Sequence, residues 1–104
     1  MVAVEVPLEA NIDAQELDIE LSGQSWHVLV AWNARAQAYA LTLENSEGEA
    51  VISGLLLRTG ADALEGCKAR IGVAAVLTVE DLTGKGEEAE QGGLGGRWRL
   101  VWAA

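Results

Sequence analysis

The stretch ELDIELSGQSWHVLVAW, residues 16–32, decides the fold class of this chain. Apolar and polar residues alternate with a period of two on both sides of Ser22-Gly23-Gln24, and this period is typical of half-buried β-strands. Serine and glycine at the centre supply the chemistry of a tight turn. The stretch therefore predicts two β-strands joined by a turn, each with one apolar face. The apolar positions are Leu17, Ile19, Leu21, Trp26, Val28, Val30 and Trp32.

The same alternation recurs along the rest of the chain and predicts an all-β fold. Seven short strands with hairpin-like spacing are typical of a small single-domain antiparallel β-sandwich or a partly open β-barrel, here spanning residues 1–104. The 3.6-residue period of a helix never persists. The predicted strands are Val2–Leu8, Glu16–Leu21, Trp26–Trp32, Tyr39–Glu44, Ala50–Arg58, Val73–Glu80 and Arg97–Trp102.

Three connections carry more specific expectations. The loop Asn45–Glu49 contains Gly48, which suits a positive φ angle. Between Thr59 and Gly66 the alternation breaks, and Thr59 or Asp62 is placed to cap a single helical turn that Gly66 would end. The Gly- and Glu-rich stretch 81–96 is expected to form a long, polar, mobile loop.

The uniformly apolar strand Ala50–Arg58 is expected to be buried on both faces.

The charge of the chain excludes two classes of partner. The net charge is −9, and an acidic surface repels both nucleic acid and anionic membranes. Residues 1–52 carry nine acidic residues against Arg35 alone, whereas residues 53–104 carry seven acidic residues against six basic ones. Two readings of this asymmetry are open: the acidity keeps the protein soluble, or one part of the surface faces a basic partner. No apolar run or leader-like N-terminus is evident, so we expect synthesis in the cytoplasm.

The residues that usually carry catalysis do not form a pattern here. His27 is the only histidine and Cys67 the only cysteine, so neither a metal site nor a disulfide is indicated. Lys68 and Arg70 stand close enough to Cys67 in sequence to favour its thiolate, which leaves a Cys67–His27 pair as the sole enzymatic hypothesis. No catalytic, cofactor-binding or metal-binding residue is therefore predicted.

Three further features have structural explanations. Glu16, Asp18 and Glu20 share one solvent face of a strand, where they solvate it or keep its edge from pairing with other chains. The glycine cluster 92–96 precedes a strand rather than a helix and lacks the lysine of a phosphate-binding loop. The four tryptophans lie on apolar strand faces, so core packing is the expected role and an interface role the alternative.

A series of short motifs runs in a fixed order along most of the chain. The motifs are Pro7-Leu8, Leu21-Ser22-Gly23-Gln24, Trp32-Asn33-Ala34-Arg35 followed by Tyr39 and Leu41, Glu47-Gly48, Ile52-Ser53-Gly54, Leu57-Arg58-Thr59-Gly60-Ala61-Asp62-Ala63-Leu64, and Gly93-Leu94-Gly95 before Arg97–Trp102. In this order they resemble the baseplate plug family of contractile-tailed phages, of the cyanophage type. The resemblance implies a virion protein of the tail baseplate, without catalysis or cofactor, synthesised in the host bacterial cytoplasm.

Two hypotheses about function follow. In the first, the protein is a structural baseplate component in several symmetric copies that joins the tail tube and hub to wedge or sheath proteins, through edge strands and the 81–96 loop. In the second, it is a small module that binds carbohydrate or peptide through exposed tryptophans. The interface candidates under the first hypothesis are Arg35, Arg58, Arg97, Arg99, Glu16, Asp18 and Glu20.

Overall fold

The computed structural model describes residues 3–67, 72 and 74–104, and within them the chain forms seven β-strands and no helix. The seven strands predicted from the alternation are confirmed, with shifts at their ends. Val2 and Val73, the expected first residues of two strands, lie outside the described residues. The strands are β1 (Ala3–Glu5), β2 (Ala14–Leu21), β3 (Gln24–Asn33), β4 (Ala38–Glu44), β5 (Ala50–Leu56), β6 (Val76–Asp81) and β7 (Trp98–Ala103).

The strands form two antiparallel sheets that pack as an open sandwich. One sheet is a four-stranded meander in the order β2-β3-β4-β5, and the other has three strands in the order β1-β7-β6. All strand pairs in both sheets are antiparallel. The prediction of an all-β sandwich or partly open barrel of about seven strands is confirmed.

The hairpin of β2 and β3 is the most regular part of the fold. Its eight residue pairs run without interruption from Ala14↔Ala31 to Leu21↔Gln24. Ser22 and Gly23 have φ angles of 53° and 76°, so both turn residues are left-handed, as a two-residue hairpin of type I′ requires. Glycine meets this demand without strain, and the turn thereby fixes which residues of both strands face the core.

The core lies between the sheets and contains three of the four tryptophans. Trp26 on β3 contacts Trp102 on β7 with ring centroids 6.4 Å apart, which joins the central strands of the two sheets. Trp26, Trp98 and Trp102 are 3%, 3% and 1% exposed. Trp32 is only partly buried and packs edge-on against Tyr39, with centroids 5.1 Å apart. Core packing is therefore the main role of the tryptophans.

The expectation that Ala50–Arg58 is buried on both faces is wrong. β5 is the outer strand of its sheet, and within 50–56 only Ile52 is buried. Its pairing with β4 is interrupted twice, and Gly54 adopts a φ of 64°. The strand is apolar because one of its faces covers the core. Burial of both faces would require a packed layer against each of them.

After β5 the chain crosses to the other sheet. Leu57 still donates its N–H to Tyr39 of β4, at 2.9 Å, whereas Gly60 donates to Val79 of β6, also at 2.9 Å. Thr59 and Val79 form a parallel bridge, and Ala63 donates to Leu77. Residues 57–63 therefore join the sheets on the side where β5 and β6 lie.

The helical turn predicted after Thr59 does not form, because residues 63–67 make successive tight turns instead. Of the two predicted capping residues, Thr59 and Asp62, it is Asp62 that caps the segment, because its Oδ1 accepts the N–H of Leu64 at 3.0 Å. The same oxygen accepts the N–H of Leu77 at 3.1 Å. Tying the segment to β6 in this way competes with a helical path.

The 81–96 segment makes several contacts with the rest of the protein. Gly92 donates its N–H to the Tyr39 hydroxyl at 2.7 Å, and Trp98 donates its indole N–H to the Glu87 carbonyl at 2.9 Å. Leu94 is buried in the core. A Cβ at Gly93 would lie 2.5 Å from Cζ3 of Trp98, so only glycine allows this approach. The mobility predicted for this loop stays a prediction.

The bond between Tyr39 and Gly92 yields a prediction about stability. We expect Tyr39→Phe to keep the ring but to lower the free energy of unfolding by about 1 kcal/mol, because the Gly92 N–H loses its acceptor. Urea denaturation measures the change. Gln91→Ala, which removes an exposed hydrogen bond to Asp13 from the same loop, is the control and should cost no more than about 0.5 kcal/mol. Equal stability of Tyr39→Phe and the parent would contradict the assigned bond.

Candidate interaction surface

The three predicted acidic residues line the outer face of β2. Glu16, Asp18 and Glu20 are all exposed and stand opposite Leu29, His27 and Ser25 of β3. They share a face because side chains two residues apart in a strand point the same way. The solvent-facing position predicted for them is what the structure shows, and their part in an interface stays a prediction.

His27 connects two of these carboxylates across the hairpin. Its Nδ1 lies 2.6 Å from Asp18 Oδ1, and its Nε2 lies 3.2 Å from Glu16 Oε2. The hydrogen bond with Asp18, followed by that with Glu16, raises the pKa of His27 above 6.5, against a smaller lowering by burial. In its protonated form, His27 is thus a cross-strand clamp that holds β2 to β3.

The two residues of the enzymatic hypothesis have other surroundings. Both ring nitrogens of His27 contact carboxylates. Cys67 is partly buried and packs against the hydrophobic core. Lys68 and Arg70, the cations suggested as activators of Cys67, lie outside the described residues. Among the residues that the structure does describe, no three His, Cys, Asp or Glu side chains are grouped to hold a metal ion.

Arg97 is held inside an acidic network. Its Nε and Nη2 donate to the two carboxylate oxygens of Asp81 at 2.9 and 2.8 Å, and Nη2 also reaches Glu87 at 2.8 Å. The guanidinium lies 4.4 Å from the ring centroid of Trp98. The Asp81 side chain is 1% exposed, and the hydrogen bond from Arg97 holds the pKa of Asp81 well below its usual range, assisted by Thr83 and opposed by burial. This network fixes both ends of the 81–96 loop.

The four predicted arginine anchors separate into two pairs. Arg99, like Arg97, is engaged within the chain, because it contacts Glu5 at 2.8 Å and the Gly96 carbonyl at 3.0 Å. Arg35 and Arg58 are exposed and form no ion pair within the described part of the chain. Both lie at the same end of the four-stranded sheet, since Arg35 follows β3 and Arg58 follows the end of β5. They are the arginines available to a partner.

Sequence reasoning missed two contributors to these charged surfaces. Glu44 stands opposite His27 on β4 and extends the acidic face to a third strand. Asp81 and Glu87 were assigned to a polar loop, although they neutralise Arg97. The position of Glu44 follows from the register of the β3–β4 hairpin once residues 34–37 are taken as its turn. The second involves residues up to sixteen positions apart, and no local pattern in the sequence signals it.

The exposed-tryptophan hypothesis is not supported by the positions of the rings. A binding platform needs at least two accessible rings in one patch, and three of the four tryptophans are buried. Trp32, the fourth, is partly covered by Tyr39.

A fold alone does not define a function, and the features described above that suit contact with other molecules are charged outer surfaces. The family model described as cyanophage baseplate Pam3 plug gp18 matches residues 3–104, and the chain belongs to this family of structural baseplate proteins. It is accordingly a structural component of the phage baseplate, located in the virion tail and in contact with other baseplate proteins.

The search of curated proteins gives no match. Among the described residues, no helix has the length and apolar character needed to cross a bilayer.

The His27 clamp yields a prediction about pH. Because its pKa is raised in the folded state, the clamp stabilises the fold fully below the pKa of the unfolded chain and loses this effect as pH rises through the folded pKa. We therefore expect the melting temperature of His27→Gln to fall below that of the parent at about pH 5.5 and to approach it at about pH 8. Glu20→Gln, which removes an exposed carboxylate of β2 that does not contact His27, is the control. A deficit that grows with pH would rule out the clamp.

The Asp81 network yields the opposite dependence. A lowered pKa means that its stabilisation is present above the unfolded pKa and is lost as pH falls through the folded value. We expect Asp81→Asn to melt well below the parent at neutral pH, with a deficit that shrinks as pH falls below 3.8. Melting curves of Asp81→Asn, the parent and the exposed-site control Glu90→Gln measure it. If the deficit did not change with pH, the charge of Asp81 would not be what stabilises the fold through Arg97.

Proposed function

We propose that this protein is a plug-like connector that joins the tail tube and hub region to surrounding baseplate or sheath proteins, in several symmetric copies. The observation that carries the proposal is the match of the baseplate plug family to residues 3–104. In this proposal, synthesis takes place in the cytoplasm of the host bacterium. The protein acts through protein–protein contacts alone, without catalysis, cofactor, nucleic acid or membrane.

The distribution of charge supports a connector with two unlike contact surfaces. The outer face of β2 carries Glu16, Asp18 and Glu20, whereas Arg35 and Arg58 lie at one end of the same sheet. Surfaces of opposite charge select different partners and fix their orientation, because like charges repel at close range. A rigid sheet holds the two surfaces at a constant separation.

The contribution of each arginine follows from its internal partners. Arg97 and Arg99 are engaged with Asp81, Glu87 and Glu5, so their replacement disturbs the fold. Arg35 and Arg58 have no such partners among the described residues, so their full charge is available to an acidic neighbour. We therefore assign contacts with neighbouring proteins to Arg35 and Arg58.

Purified tails provide the direct test. A connector is present in intact particles at a fixed ratio to the tube and hub proteins, which quantitative mass spectrometry measures. Absence from intact particles, or a variable ratio, would refute the proposed function.

The two arginines provide a test by substitution. We expect Arg35→Glu/Arg58→Glu to leave the melting temperature within a few degrees of the parent, because exposed unpaired charges contribute little to stability. Incorporation into baseplates should fall by about tenfold, since reversed charges oppose the acidic neighbour. Glu47→Lys, which reverses an exposed charge in the turn between β4 and β5, is the control. Normal incorporation of the double variant would exclude this end of the sheet as a contact.

A further inference from the structure

The two sides of the sandwich differ in how the sheets are joined. On one side, residues 57–63 connect β5 to β6 through backbone hydrogen bonds, as described above. On the opposite side, residues 6–13 lead from β1 to β2 at one end of the strands, and among the described residues β2 pairs only with β3 and β1 pairs only with β7. No backbone hydrogen bond joins β1 to β2 in the described part of the chain. We call the gap between these two strands the open side.

Apolar side chains that face the core are left incompletely covered at the open side. Val4 stands opposite the buried Trp102 and so shares its face, yet it is 38% exposed. Leu17 and Ile19 of β2 are half-buried, although their partners Val28 and Trp26 are fully buried. The apolar layer of the core therefore continues to the open side without a strand to cover it.

The free edge of β2 is regular enough to accept a further strand. Its pairing with β3 has no interruption, in contrast to the twice-interrupted β5. Gln15 bonds to the backbone of Glu9 at the start of β2, so the free edge extends from Glu16 to Leu21. Regular unpaired edges are the surfaces to which extended peptides add by main-chain hydrogen bonds.

The charges on β2 determine which strand can be added. Glu16, Asp18 and Glu20 recur at every second residue along the outer face, and Glu20 forms no ion pair among the described residues. A second copy of β2 would place carboxylates against carboxylates and is repelled. A strand with lysine or arginine at every second residue would instead place each cation close to a carboxylate, with its alternate residues facing inward.

We propose that an extended basic segment of a neighbouring baseplate protein pairs with the free edge of β2 and closes the open side of the sandwich. Its alternate Lys or Arg side chains contact Glu20 and, beside His27, the carboxylates of Asp18 and Glu16. The apolar residues between them cover Leu17 and Ile19. This inference rests on the proposed function, because the baseplate supplies the neighbour. It gives the carboxylates a selective role: they exclude self-pairing and admit a basic partner.

Synthetic peptides test the proposal on the full chain. The probe is a monomeric peptide of about ten residues that alternates valine with lysine, and the control has the same composition with its lysines in one block. We expect the alternating peptide to bind and to slow amide exchange in β2, with weaker binding at high salt. The block peptide should bind much more weakly, because it cannot match both faces of the edge.

Two variants separate edge pairing from general attraction. Glu16→Gln/Asp18→Asn/Glu20→Gln removes the carboxylates of β2 and should weaken binding of the alternating peptide by about tenfold. Glu47→Gln/Glu49→Gln/Glu90→Gln removes three exposed carboxylates elsewhere and should bind within about twofold of the parent. Circular dichroism checks that both variants keep the fold.

Three results would overturn the proposal: equal binding of the block and alternating peptides, exchange protection confined to strands other than β2, or dimerisation of the parent through β2 in sedimentation experiments. The outcome is separable from that of the proposed function. If the protein is present at a fixed ratio in purified tails but does not bind the alternating peptide, only the open-side site is refuted. A protein that binds the peptide but is absent from tails refutes the connector role.

Discussion

The contact between Trp26 and Trp102 is the interaction on which the sandwich depends. The two rings come from β3 and β7, which are inner strands of the two sheets, and each ring is almost completely buried. A buried indole contributes a large apolar area, so this pair sets how the sheets face one another. The polar atoms show the cost of this packing. Trp102 donates its indole N–H to Ser22 Oγ at 2.9 Å, whereas the indole N–H of Trp26 has no hydrogen-bond partner among the described residues. Packing area outweighs one unmade hydrogen bond here.

The strands were predictable because the signal for them is local. In β2, β3, β4 and β7, alternation assigns each residue to the core or to solvent, and the left-handed Ser22-Gly23 turn fixes the register. The position of β5 was not predictable, since an apolar strand covered on one side and an apolar strand buried on two sides have similar compositions. The crossing at 57–63 depends on hydrogen bonds to strands far along the chain, which periodicity does not encode.

The charged surfaces show the same division between local and distant information. That Glu16, Asp18 and Glu20 share an exposed face follows from their spacing alone. The spacing does not show which arginines lack an internal partner, because all four stand at comparable positions in or beside strands and loops. Only the fold shows that Asp81 and Glu87 neutralise Arg97 and that Glu5 neutralises Arg99, whereas Arg35 and Arg58 form no ion pair among the described residues.

The two sides of the sandwich illustrate how a structural protein combines rigidity with a site for assembly. On the closed side, the 57–63 segment bonds to β4 and β6, and the Arg97 network anchors the loop that follows β6. A barrel closed in the same way on both sides would have no free strand edge and could offer partners only side chains. The open side keeps main-chain groups of β2 available beside half-covered apolar residues, and the carboxylates on its outer face restrict which chain can use them. The open side needs no covering strand for the fold to form, because the strands of both sheets already bury most of the apolar layer between them.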